Sequence, residues 1–352
     1  MINFRYHVVS IVAVFLALAV GIILGATELR GTALDALNRT SNDLANELNA
    51  ARVQNRTLQQ EVTGDQGFGQ ADMARLLDGL LSNQRVVLVG APGAPGAVTN
   101  GLTAALRQAG ATVTGQVNLQ PKLLDDSESN QQFLSTLVQT LASSNSAPSN
   151  GTPLQQAAQL LGGAILTKNS PSSSSSSGNP GESSTTRQDV LSSYGQAGLL
   201  SVSGPLSVAG QPTAPATLAV VVAPATPPSG GVADPANQGL ITLAQELNTA
   251  GLGTVMAGSI SGSVSGSAIN ALRSSSAGSL ISSVDDADTV IGQIVAVQAL
   301  AQELTGHKPG SYGDGPGSSG AGPSPAPSPS ATTSTQVTGA THSGGTTSSG
   351  KK

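Results

Sequence analysis

Residues 85–117 read RVVLVGAPGAPGAVTNGLTAALRQAGATVTGQV. Arg85–Gly90 is a short Val-rich apolar run, which is the pattern of a buried strand. The turn APGAPG follows, then a helical pattern over Ala97–Ala109 that stops at Gly110, then a second strand over Thr112–Val117. Strand, crossover helix and strand make a βαβ unit, and that unit requires a parallel sheet. Working outward, helical patterns return at Asn130–Ser143 and Pro153–Leu161. PATLAVVVA (Pro215–Ala223) is the strongest strand pattern in the chain. Pro235–Ala250 reads as a helix, Gly253–Ala257 as a strand and Asp285–Thr305 as a long helix whose opening acids suit a positive N-terminal end. Alternation of this kind predicts a parallel-sheet, Rossmann-like α/β domain over about residues 70–310. Residues 168–188, with six consecutive serines at 172–177, read as a flexible insertion, and the Gly/Ser/Thr/Pro-rich residues 311–352 as a disordered tail.

Toward the N-terminus the chemistry changes. Residues 8–26 read VVSIVAVFLALAVGIILGA, nineteen residues without a charge. About 20 apolar residues cross a hydrocarbon core as a helix, so the stretch predicts a transmembrane anchor. A cleaved secretory signal is the alternative, but its apolar region is shorter, about 7–15 residues. Arg5 and His7 precede the stretch, and Glu28, Arg30 and Asp35 follow it. The bias favours residues 1–7 in the cytoplasm and the body outside it. Small residues recur every fourth position at Ala13, Ala17, Gly21 and Gly25. Gly21 and Gly25 form a G-x-x-x-G along which two helices can pack closely in lipid.

From residue 27 to 63 a seven-residue repeat can be traced. One seam position holds Leu34, Ser41, Leu48, Asn55 and Val62; the other holds Leu37, Leu44, Ala51 and Leu58. This predicts a coiled-coil stalk, with Asn55 setting register at a cost in stability. An amphipathic helix folded back onto the domain is the alternative. As a straight helix the segment reaches roughly 55 Å at 1.5 Å per residue. Gly31 is expected to break it from the anchor, and Gly64, Gly67 and Gly69 to end it. Anchor and stalk together predict a homo-oligomer at the membrane, with Gly21, Gly25, Leu34, Leu37, Leu44, Leu48 and Leu58 as its contact residues.

Composition narrows the function. Only 10% of residues are charged, the net charge is −5, and there is no cysteine. A nucleic-acid partner would need a concentrated basic patch, and thiolate metal sites or Cys nucleophiles have no residues to use. Gly90, Gly93 and Gly96 sit where a dinucleotide fingerprint would, but the spacing is G-x-x-G-x-x-G, and the second strand leads to Asn118 where an acid would meet the ribose. No phosphate-binding Gly-Lys-Ser/Thr is present. Asp285, Asp286 and Asp288 are read as helix-capping acids, with a divalent-ion site as the alternative; Asp125, Asp126 and Glu128 are read as a solvated turn. His7, His307 and His342, and Met1, Met73 and Met256, are scattered along the chain. The expectation is a non-enzymatic protein with no cofactor or metal site evident in its residues.

The opening MINFRYHVVSIVAVFLALAVGIILGATELRG resembles that of the MctB family of actinobacterial copper-transport proteins, as do VVLVGAPGA (residues 86–94) and VDDADTVIGQIVAVQALAQELTGHKPGSYGDG (residues 284–315). The resemblance covers roughly residues 1–315. It implies an actinobacterial source and a role in copper homeostasis or efflux at the cell envelope, in a family described as pore-forming in an outer membrane. Copper enters only through this resemblance. The expectation is therefore a membrane-anchored envelope protein acting as an oligomeric component. The alternative is an envelope scaffold that recruits cell-wall or division proteins through its stalk and α/β domain.

Overall fold

The computed structural model describes residues 4–142, 150–169, 184–207, 214–259, 264–306 and 308–328. The chain divides into two compact units, residues 1–67 and 68–352.

The first unit is helical. Helix α1 is assigned over Phe4–Leu77. Within it Phe4–Gly25 is a 22-residue stretch long and apolar enough to cross a membrane. Its large side chains lie open, with Phe15, Leu16 and Ile23 each about two-thirds exposed. Such a surface is costly in water and at home in lipid. The breaks expected at Gly31, Gly64, Gly67 and Gly69 do not occur, because the helix continues to Leu77. Glycine costs a helix about 1 kcal/mol relative to alanine, and burial outweighs that at the end of α1. In the second unit Gly69, Met73 and Leu77 are buried. A Cβ at Gly69 would sit 3.1 Å from Val290 Cγ1, so the glycine permits close approach there.

The second unit is α/β. Its elements run β1 (Arg85–Gly90), α2 (Gly96–Gln108), β2 (Thr112–Leu119), α3 (Glu128–Ala142), α4 (Pro153–Ile165), α5 (Ser184–Gln196), β3 (Leu200–Ser203), β4 (Leu218–Val222), α6 (Pro235–Ala250), β5 (Gly253–Ala257), α7 (Ala268–Ser274), β6 (Ser282–Val284), α8 (Val290–Leu304) and β7 (Ser311–Tyr312). The seven strands form one sheet in the order β3-β2-β1-β4-β5-β6-β7. All neighbours are parallel except β2 and β3, which pair antiparallel. The domain is thus mixed α/β with a mostly parallel sheet; the antiparallel β3 corrects the expectation of parallel strands alone.

Strand alternation decides which residues face which layer. Val86, Leu88, Leu218, Val220 and Val222 pack into one core with α2 and α8. Val87, Val89, Ala219 and Val221 pack into the other, with residues of α3 to α7. Central strands buried on both faces read as continuous apolar runs, which is why β1 and β4 are legible in sequence. Helix α8 is apolar around most of its circumference because it is buried between β5 and α2. Helix starts follow local chemistry. Thr152 and Asp234 accept the backbone N–H groups of Gln155 and Ala236, each followed by proline at the first helical position.

Two boundaries move. Residues 184–188, expected in the flexible insertion, begin α5; residues 170–183 lie outside the described residues. The domain does not end at 310. Strand β7 joins the sheet, the Tyr312 hydroxyl donates to Gln302 Oε1 at 3.0 Å, and Ser319 N donates to Ser311 O at 2.7 Å. The rest of the expected tail, residues 329–352, lies outside the described residues.

Candidate functional site

Helix α2 leaves β1 on one face of the sheet, and α6 leaves β4 on the other. β1 and β4 are neighbours, so a crevice opens at their C-terminal ends, where open α/β sheets bind ligands. Here it is a cavity of about 230 Å³ walled by Pro92, Pro121, Pro224 and Pro228 over Leu124 and Leu240. Asn237 closes one side. Its Nδ2 donates to Gly231 O at 2.8 Å and to Gly266 O at 2.9 Å, tying two loops together. An adjoining hollow runs past Gly93 and Gly96 to Gln116 and Asn118. Gly93 has φ +80°, which L side chains rarely adopt. No lining residue of either space carries a titratable side chain. Such walls can hold an uncharged group, and the polar side chains they offer are hydroxyls and amides.

The other concentrated chemistry is at the edge formed by β6 and β7. Arg273, on α7, donates from Nη1 to Asp285 Oδ2 at 2.6 Å and to Pro316 O at 3.0 Å, from Nε to Ser283 Oγ at 2.9 Å, and from Nη2 to Tyr312 O at 2.8 Å. Asp285 also accepts the backbone N–H groups of Asp314 and Gly315, each at 2.9 Å. Both side chains are almost entirely out of water, 4% and 0% exposed. This is a clamp on residues 312–316. The oxygens of Asp285 are already committed to N–H donors and so are not presented to a cation.

Asp286 differs. It is buried, and its Oδ1 has no hydrogen-bond partner. Its carboxyl is raised to about 6, first by burial, then by the charge of Asp285 with smaller additions from Asp314 and Asp288, against a backbone hydrogen bond that lowers it. A carboxyl raised on folding holds its proton more tightly in the native state. Its contribution is therefore fully present below the unfolded value near 3.8 and is lost as pH rises through about 6. Burial also raises Glu303, in the same direction. Asp286→Asn is expected to abolish part of the fall in unfolding free energy between pH 5 and pH 7.5, on the order of 1–2 kcal/mol, leaving the Glu303 share. Urea unfolding at the two pH values checks this, and identical falls in both proteins would refute it.

Gly21 and Gly25 lie on α1 with open space where a Cβ would stand. Leu37, Leu44, Leu48 and Leu58 are exposed on the same helix; the side chain of Leu34 is outside the described residues. Gly90 ends β1, and Gly93 and Gly96 line the polar hollow. Asp285, Asp286 and Asp288 do not open α8, whose start is capped by Thr289 Oγ1 accepting Gly292 N at 3.0 Å. Asp125 accepts the N–H and hydroxyl of Ser127, ahead of α3. Met73 and Met256 lie in opposite cores. His7 is on α1, while His307 and His342 are outside the described residues. Among the described residues no group of three or more His, Asp or Glu side chains could hold a metal ion. Arg273 escaped sequence reading, although one arginine in the short apolar helix AINALRS, twelve and thirteen residues before two aspartates, was a usable signal.

A family model described as copper transport outer membrane protein, MctB, matches residues 1–323. Proteins called copper transporter MctB from Mycobacterium tuberculosis and Mycobacterium bovis are each 30% identical to this chain over 325 residues, covering 90% of it and 98% of the relative. The protein of that name from Mycobacterium leprae is 29% identical over the same span.

Proposed function

The chain belongs to the MctB family, and from that premise we propose that it is a membrane-anchored component of copper transport at the cell envelope. The observation that carries this reading is the match itself, which runs from the apolar helix through the α/β unit to residue 323. The 22-residue span at Phe4–Gly25 fits a place in the membrane. Arg5 and His7 precede it with no acid among residues 1–7, and Glu28, Arg30 and Asp35 follow it; on that flanking pattern the α/β unit lies outside the cytoplasm in this reading. The heptad residues support a coiled-coil stalk, and Gly21 with Gly25 a second contact between copies. Copper is cargo in this reading and not a resident cofactor. The thioether and imidazole ligands that suit copper are dispersed, and the crevice lining has no charge. The same neutral lining supports a role without catalysis.

A strain lacking the gene, tested for copper accumulation and sensitivity, is expected to be restored by the intact chain. It is not expected to be restored by Val14→Arg/Ala17→Arg, which places two cations at the helix centre at about 2.5–3.5 kcal/mol each. That variant is also expected to leave the membrane fraction. Equal rescue by a variant found wholly outside the membrane fraction would refute the anchored reading. Full chain in detergent should bind no copper at one equivalent more tightly than about micromolar; a stoichiometric tighter site would overturn the cargo assignment.

A further inference from the structure

The stalk carries a partner code in its flanking positions. Along α1 the seam residues Leu37, Leu44, Leu48, Leu58 and Val62 are each at least half exposed. Beside the seam, one flank (residues 38, 45, 52 and 59) has Arg52 as its only charge. The opposite flank (residues 40, 47, 54 and 61) has only Glu47 and Glu61. Within its own helix neither Glu47 nor Arg52 has an opposite charge three or four residues away; the charged neighbours at that spacing are Asp43 and Arg56, of like sign. The separation from Glu47 to Arg52 is five residues, the spacing at which one flank of a helix meets the other flank of a parallel partner in register.

We propose that the stalk pairs with a second copy of this chain as a parallel, in-register, two-stranded coiled coil, in which Glu47 of each copy faces Arg52 of the other. Direction follows from the charges. In an antiparallel pair each flank meets its own kind, one flank has no acid and the other no base, and no opposite charges can meet. The anchored reading of the preceding subsection, on which this rests, agrees, because two copies held in one membrane at their N-terminal ends run the same way. Strand number follows from the seam. Leucine holds three of the four second-seam positions, and Asn55 at a first-seam position faces its own counterpart only when two chains are in register, the arrangement a buried Asn selects. The pairing has an end. Asp65 and Asp72 hold the next two second-seam positions, and Gly69, next in the first seam, is buried against Val290 of its own chain.

The chain has no cysteine, so single cysteines report without background. In membranes holding the full chain, Ser41→Cys and Asn55→Cys are expected to give disulfide dimers under mild oxidation, and the outward-facing Gln60→Cys less than about a tenth as much. The detergent-solubilised chain is expected to sediment as two copies. Glu47→Arg should lower Asn55→Cys crosslinking several-fold, and adding Arg52→Glu should restore it. Equal crosslinking at 55 and 60, a mass of three or more copies, or no rescue by the charge exchange would overturn the proposal. If these results came from protein that remains in the membrane and restores copper handling, the stalk proposal alone would fall.

Discussion

Arg273→Ala is expected to lower the stability of the α/β unit by about 3–5 kcal/mol, the usual cost of stranding one member of a buried ion pair. The loss is larger than that of a surface pair because Asp285 has no exposure through which water could replace the guanidinium. Two backbone N–H donors would remain to the carboxylate, while the carbonyls of Tyr312 and Pro316 and the Ser283 hydroxyl would each lose their arginine donor. Arg273→Lys should recover only part of this, since an ammonium is a point charge and cannot span four acceptors set around a planar fork. Urea unfolding ranks the three proteins, and amide hydrogen exchange at residues 313–315 should rise in the same order. An alanine variant with an unchanged midpoint would show that the clamp does not contribute.

Gly292→Ala is expected to cost about 3 kcal/mol, the upper end for overpacking. Gly292 is in the first turn of α8, and the chain crosses it so closely that a Cβ would fall within contact distance of the Asp286 backbone carbonyl and side chain. A backbone carbonyl cannot rotate aside as a flexible side chain can. Either the loop from 285 to 289 or the first turn of α8 must move, and moving the turn breaks the cap from Thr289. The same substitution at Gly163, where nothing lies within 4 Å of the added Cβ, should be neutral or slightly stabilising by helix propensity. Thermal unfolding of the two variants side by side tests the contrast, and equal midpoints would remove the steric argument.

Sequence reading located the anchor, β1, β2, β4, β5 and most helices, because each rests on a local pattern. β1 and β4 are unbroken apolar runs; the anchor is a long one. The strands that escaped have no such pattern. β6 is Ser-Ser-Val, and its serines are buried only because tertiary partners satisfy them: Ser283 from Arg273, and Ser282 donating to Glu303 at 2.7 Å while accepting Gly310 N. β3 and β7 are held by pairing with strands far away in sequence, which no short window contains. Asp285, Asp286 and Asp288 read as caps because they precede an apolar helix, but Thr289 sits one residue before the first helical position, and the cap goes to it. The proline-walled crevice was invisible because its walls come from three separate strand ends that only the topology brings together.

The ends of the sheet are short. β3 contributes four residues and β7 two, so little free strand is offered along either margin to a neighbouring molecule. Long, flat margins invite sheets to fuse into fibrils, and abbreviated ones discourage it. Many α/β units crowded onto one envelope can therefore keep their sheets separate even where the stalks pair.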